Sequence, residues 1–213
     1  MADLVLASES PRRKTLLSGA GLDFDVEPSG FEEPPPSTGQ LPSDYALRLA
    51  IAKAGAVAGL RPHALVIGAD TVIEFEGRVL GKPRNMAHAR SMLTALAGQW
   101  HTVITAICVA TDGGVFLHSA SVSTPVAMAV ATRRQIASYV ATGEPLDKAG
   151  GYAIQGRGGR LVERIEGCYN NVVGLPLCEL DRLLRTAGGP PMISPCQLPD
   201  GLTCPRLTVT SPA

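Results

Sequence analysis

The sequence predicts an α/β fold: a mixed, twisted central sheet flanked by helices. Three observations carry that expectation. Continuous apolar runs at residues 4–6 and 64–69 have the character of strands buried on both faces. Segments 43–59 and 86–96 repeat their apolar residues at helical spacing. Glycine turns at Glu76-Gly77 and Asp112-Gly113-Gly114 join β-rich runs as hairpins, which a wholly parallel sheet would not contain.

In chain order, the first strand runs into Ser8-Glu9-Ser10-Pro11-Arg12-Arg13-Lys14. Ser10 suits an N-cap and Pro11 the first helical position, where a missing N–H costs nothing. The helix then continues to a glycine stop at Gly19. Phe24-Asp25-Val26 alternates like a short strand, and Pro34-Pro35-Pro36 makes the next stretch a loop. Ser43-Asp44 is expected to cap an Ala-rich helix ending near Gly59, with Lys53 inside its apolar stripe. The buried run 64–69 should deliver Asp70-Thr71 at or near a strand end, before a hairpin over 72–80. After the helix at 86–96, the runs 101–111 and 115–130 form a second hairpin, and Thr132 caps a helix to about Thr142. A glycine-rich loop from Asp147 to Gly156 precedes a strand at 161–165. A last helix starts at Asn170 or Asn171, bends at Gly174 and Pro176, and fades near Ala187. Residues 1–187 thus read as one domain and 188–213 as an irregular tail.

With 213 residues, 45% hydrophobic and 18% charged, the chain is globular in composition. Nineteen basic and nineteen acidic residues cancel, so no overall field directs it to nucleic acid or a membrane. No stretch has the length of a membrane span, and the start has no basic region of the signal-peptide kind. Five cysteines without C-x-x-C spacing favour reduced thiols in a cytoplasmic protein.

Chemistry is expected where unlike groups complement each other. Three consecutive cations in the first turn of a helix oppose its dipole, and an anion bound at that N-terminus would explain them. Glu32 and Glu33, with Asp70, offer carboxylates for a hard divalent cation, and one of them could take a proton from water. Gln155 carries a donor and an acceptor side by side, matching the N3–H and 4-carbonyl of uracil or thymine. Walker A, G-x-G-x-x-G and H-E-x-x-H patterns are absent, and the four histidines have no ligand spacing.

These stretches together resemble the Maf nucleotide pyrophosphatases, a branch of the fold shared with inosine triphosphatases. The matching motifs are LVLASESPRR (4–13), GADTV (68–72), GKP (81–83), HTVIT (101–105), DKAGGYAIQG (147–156) and VERIEGCYNNVVGLP (162–176). The resemblance implies two lobes around a cleft and metal-dependent hydrolysis of a nucleoside triphosphate to monophosphate and pyrophosphate, with no nucleic-acid or membrane partner. It implies Asp70 as the proton acceptor that activates water, with Ser8, Arg12, Arg13, Lys53 and Lys82 at phosphate-handling positions. Glu33, less directly Glu32, would hold Mg²⁺ or Mn²⁺ together with Asp70. Arg13, Thr71 and Gln155 fall at positions tied to base choice, in the pattern of the branch acting on dTTP and UTP. Glu9, Ala106 and Cys168 depart from the family's usual residues. A homodimer is compatible with this reading. Two alternatives stay open: a broader or modified-base nucleotide pyrophosphatase, and a non-catalytic nucleotide-sensing inhibitor of cell division.

Overall fold

The computed structural model describes residues 3–193. In chain order the elements are β1 (Leu4–Leu6), α1 (Pro11–Gly19), β2 (Asp25–Val26), α2 (Pro42–Ala58), β3 (Leu65–Phe75), β4 (Arg78–Leu80) and α3 (Met86–Leu96). They continue with β5 (Trp100–Thr111), β6 (Phe116–Met128), α4 (Arg133–Val140), β7 (Val162–Ile165), α5 (Tyr169–Val173) and α6 (Leu177–Thr186). Among the described residues one seven-stranded sheet runs β2-β1-β3-β5-β6-β7, with β4 also on β3. β1 is parallel to both β2 and β3, and the remaining pairs are antiparallel, so the sheet is mixed as the hairpins predict.

Alternation along the strands assigns the two faces. Leu4, Leu6, Ile67, Ala69, Ile107 and Val109 bury against α1 and α6. Val5, Val66, Ala106, Cys108 and Ala110 bury against α2 on the other face. A further cluster joins Ile73, Val103, Val126 and Met128 to α3 and α4. This cluster lies on the same sheet face as the α1/α6 core, farther along β3 and β5. Two lobes therefore share one sheet face, and the interval between them is a cleft.

Several local expectations change. The runs 64–69 and 72–75 are one continuous strand of eleven residues, so Asp70 and Thr71 sit mid-strand and not at an end. Antiparallel pairing with β5 runs unbroken from Val66 to Glu74, which holds the strand straight through the buried carboxylate. Helix α2 starts at Pro42 with Leu41 in the cap position, not at Ser43-Asp44, because proline's fixed φ starts the helix earlier. The last helix is two, α5 and α6: Gly174 at φ 122° and the following proline break it completely, and Cys168 is the N-cap. Thr132 does cap α4, through a reciprocal box with Gln135. The tail beyond Gly188 still packs as far as the described residues go. Met192 is buried in the α1/α6 core and its N–H donates to Asp181. Cys108 is a buried free thiol, while Cys196, Cys204 and the rest of the expected irregular tail lie outside the described residues.

His101 is buried at the start of β5, and its Nε2 meets the Tyr152 hydroxyl at 2.7 Å. Among the described residues its Nδ1 has no partner. Burial pushes the imidazole down to about 4, so it stays neutral where an unfolded histidine would take a proton near 6.5. The unfolded chain then binds more protons than the native one between those values, and stability is lost as pH falls from about 6.5 to about 4. The loss should total on the order of 3 kcal/mol. Urea unfolding across that range checks it: His101→Gln, which keeps a bond to Tyr152 without a titrating ring, should flatten this part of the acid slope.

Candidate active site

The site begins at a notch in the sheet. β1 pairs with β3 only as far as Leu6 opposite Ile67, and β4 takes up the same edge from Ile73. Between them the β1-side edge of β3 is uncovered from Gly68 to Val72. Asp70 and Thr71 occupy that gap and, as neighbours in a strand, point to opposite faces. Both therefore reach one cavity of about 630 Å³ that opens over the notch.

Asp70 points to the α2 face. Lys53 Nζ sits 2.6 Å from Asp70 Oδ1 and 2.6 Å from Glu33 Oε1, joining the helix, the strand and the proline-rich loop. The lysine in the apolar stripe is thus buried and paired. Burial raises the Asp70 carboxyl above the usual aspartate range, and the positive charges of Lys53 and Arg13 only partly offset it. At Glu33 burial pushes the same way, but the hydrogen bond and charge of Lys53, with Lys82 and Arg13, win and hold the carboxyl below its ordinary value. Glu33 is the more exposed of the two. One acid is therefore tuned to take a proton and its neighbour to stay charged.

Thr71 points to the other face and meets Arg13. The Arg13 guanidinium donates through Nη2 to Thr71 Oγ1 at 3.1 Å, through Nη1 to Ser8 Oγ at 3.1 Å, and through Nε to the Gly174 carbonyl at 2.9 Å. Ser8 Oγ also accepts from the Ser10 N–H at 3.3 Å. With both lone pairs engaged, the buried Ser8 hydroxyl can only donate, which suits an anion in the cavity. Gly174 is required here: its φ of 122° favours glycine, and a Cβ would sit 3.3 Å from Thr71 Oγ1.

Helix α1 points its N-terminus into the same space. Ser10 occupies the cap position, but among the described residues its side chain makes no capping bond. Among the described residues the first-turn N–H groups of Arg12 and Arg13 have no backbone acceptor, and they lie beside two guanidinium groups and a positive dipole end. Lys82, from the loop after β4, also lines the cavity, and its charge acts on Glu33.

Of the residues expected from sequence, Ser8, Arg12, Arg13, Glu33, Lys53, Asp70, Thr71 and Lys82 all line this one cavity. Glu32 does not. Neither does Gln155: it is exposed, while the preceding Ile154 supplies the wall. The glycine loop turns through a series of 3-10 turns, so adjacent side chains diverge. Sequence reasoning passed over Asp147 and Lys148, a paired acid and base on the cavity lip, although their place in the glycine-rich motif was a usable signal.

Glu33 and Asp70 converge on a common cation, the Lys53 ammonium, so two carboxylates can share positive charge at this point. Among the described residues, no group of three His, Cys, Asp or Glu side chains is placed to hold a metal ion. A hard divalent ion fits this donor set only with further oxygens, and Mg²⁺ is commonly held by one or two carboxylates plus substrate phosphates.

Residues 3–187 match the family model described as Maf-like protein. The chain belongs to the Maf-like family. A dTTP/UTP pyrophosphatase of Anaeromyxobacter dehalogenans is 51% identical over 190 residues, covering 88% of this chain and 95% of that one. A dTTP/UTP pyrophosphatase of Pelotomaculum thermopropionicum is 46% identical over 188 residues, covering 88% and 98%. A solved HAM1 protein from Coxiella burnetii overlaps more loosely, at 16% identity and a TM-score of 0.41 over 60% of this chain and 73% of that one. The Maf-like match spans both lobes and every cavity-lining residue named above.

Proposed function

We propose that the chain hydrolyses dTTP and UTP to the nucleoside monophosphate and pyrophosphate, by attack of water on the α phosphorus. The observation that carries this reading is the convergence of Arg12, Arg13, Lys53 and Lys82 around one buried carboxylate, Asp70, in a cavity sized for a nucleotide. The names of the relatives support the choice of substrate.

In this reading the α1 N-terminus, the Ser8 hydroxyl and the two arginines hold phosphate oxygens, by bidentate contact where Arg is the donor. Asp70 takes the proton from water as the new oxygen–phosphorus bond forms. The bond from the α phosphorus to the bridging oxygen breaks, and pyrophosphate leaves with that electron pair, its charge met by Lys82. Lys53 keeps the carboxylate oriented toward the cavity. A divalent cation, Mg²⁺ or Mn²⁺, would be held by Glu33 and Asp70 with phosphate oxygens and would neutralise charge on the triphosphate. The nucleotide substrate agrees with a cytoplasmic location. Among the described residues, no helix is long and apolar enough to cross a membrane.

One observation favours a broader enzyme. The amide proposed to read uracil and thymine, Gln155, stands off the cavity wall, so base discrimination rests on a residue that must turn inward. A nucleotide panel run in ¹⁸O-water tests both readings. The expected result is pyrophosphate as the leaving product, the label in dTMP and UMP, and rates for dTTP and UTP well above those for purine nucleotides. Equal rates across the panel would favour the broader enzyme. Release of orthophosphate with a nucleoside diphosphate would overturn attack at the α phosphorus.

A further inference from the structure

We propose that Thr105 and Asn171 are positioning residues: a buried relay that fixes the Thr71 hydroxyl as an acceptor and so aims the Arg13 guanidinium into the cavity. The proposal rests on the reading of that cavity as a polyphosphate site.

Thr105 on β5 and Asn171 on α5 are completely buried, as is Thr124 on β6. Buried polar groups under a cavity floor call for a reason, since apolar residues of like volume would cost less to bury. Here every donor is matched. Asn171 Oδ1 accepts from the Thr105 N–H at 3.1 Å, and its Nδ2 donates to the Val103 carbonyl at 2.9 Å and to Thr124 Oγ1 at 2.8 Å. A donor-only partner on one side and an acceptor-only carbonyl on the other leave the amide a single orientation.

The hydroxyl protons follow from this frame. Thr105 Oγ1 donates to the Asn171 carbonyl at 2.9 Å, which uses its one proton. Its contact with Thr71 Oγ1, also 2.9 Å, must therefore be donated by Thr71. Thr71 is left with lone pairs alone to offer, and Arg13 Nη2 donates to it. The order Arg13 to Thr71 to Thr105 to the Asn171 carbonyl has one direction throughout. Because α5 also leads into Gly174, whose carbonyl holds Arg13 Nε, the same short helix fixes the guanidinium at two points. The second protons of Nη1 and Nη2 remain for a ligand.

The test measures inorganic tripolyphosphate binding by calorimetry and dTTP kinetics in Thr105→Val, Thr105→Ser and Thr71→Val. Loss of one oriented bond to a charged group should weaken tripolyphosphate binding and raise KM for dTTP about tenfold in Thr105→Val, with kcat within about threefold. Thr105→Ser should match the wild type. Thr71→Val should match Thr105→Val, and the double variant should be no worse than either, because both break one chain. If Thr105→Val does not fold, Thr105→Ala carries the same expectation. A ligand-free readout accompanies these: exchange of the Arg13 Nε proton in ¹⁵N spectra should be about tenfold faster in Thr105→Val and unchanged in Thr105→Ser. Wild-type affinity and exchange in Thr105→Val, equal loss in Thr105→Ser, or additive effects in the double variant would each overturn the relay. If the variants show the exchange pattern but the wild type neither binds tripolyphosphate nor hydrolyses dTTP, the relay stands and the nucleotide reading falls.

Discussion

Asp70→Asn is expected to lower kcat for dTTP by about 10²-fold or more while leaving the fold intact, since loss of a positioned base has that order of effect. The substitution nearly conserves volume, and the amide oxygen can still accept from Lys53 Nζ, so the link between α2 and β3 survives. What is lost is the basic oxygen. Turnover of dTTP at the wild-type rate in a folded Asp70→Asn protein would remove this residue from the chemistry.

The same carboxylate sets the direction of the pH dependence. Burial lifts Asp70 above the usual aspartate range, and a base works only when deprotonated, so kcat/KM should rise with pH through that raised value. The nearby Glu33 charge raises Asp70 further. Glu33→Gln removes that charge and leaves Lys53 to Asp70 alone, so the acid limb should move to lower pH whatever happens to the maximal rate. An acid limb that moves upward in Glu33→Gln would contradict the assignment of that limb to Asp70.

The sequence made the composition of the site legible before its geometry. Cations in the first turn of a helix are costly enough to stand out, and Arg12 and Arg13 do line the cavity. Lys53 stood out because a charge in an apolar helical stripe needs a partner, which Asp70 provides. Thr105 and Asn171 carried no such signal: a threonine in a β-rich run satisfies strand preference, and an asparagine near a helix start satisfies capping preference. Their roles come from partners up to 68 residues away in the chain, as with Asn171 and Val103. Gln155 is the converse case. Its chemistry suited a base, but side-chain direction in a loop of 3-10 turns depends on backbone dihedrals that residue type does not set. Sequence alone puts Asp70 at or near a strand end, because a charged residue after an apolar run usually ends burial. Here the notch left by the short β1 lets a mid-strand carboxylate reach the cavity.

That notch works only if α2 lies close enough to β3 for Lys53 to meet Asp70, and Gly68 sets the approach. A Cβ at Gly68 would stand 2.3 Å from the Ala50 carbonyl oxygen and 2.6 Å from the Ala54 nitrogen. Both are backbone atoms of a helix and cannot turn aside, so Gly68→Ala must push α2 off the sheet. The helix buries Ala46, Leu49, Ala50, Ala54 and Val57 against that face. Overpacking of this kind should cost about 3 kcal/mol or more, which corresponds to a fall in Tm of roughly 6–12 °C for a chain of this size. Activity should fall beyond what unfolding explains, because the same displacement draws Lys53 away from Asp70 and Glu33. Gly55→Ala, on the same helix, is the control: nothing lies within 4 Å of its Cβ position, so it should stabilise by up to about 1 kcal/mol through helix propensity alone. Thermal melts of the two variants, with dTTP turnover measured below both transitions, separate close approach from a general intolerance of alanine. A Gly68→Ala protein with wild-type Tm and wild-type turnover would mean that the helix does not set the distance between its lysine and the strand's carboxylate.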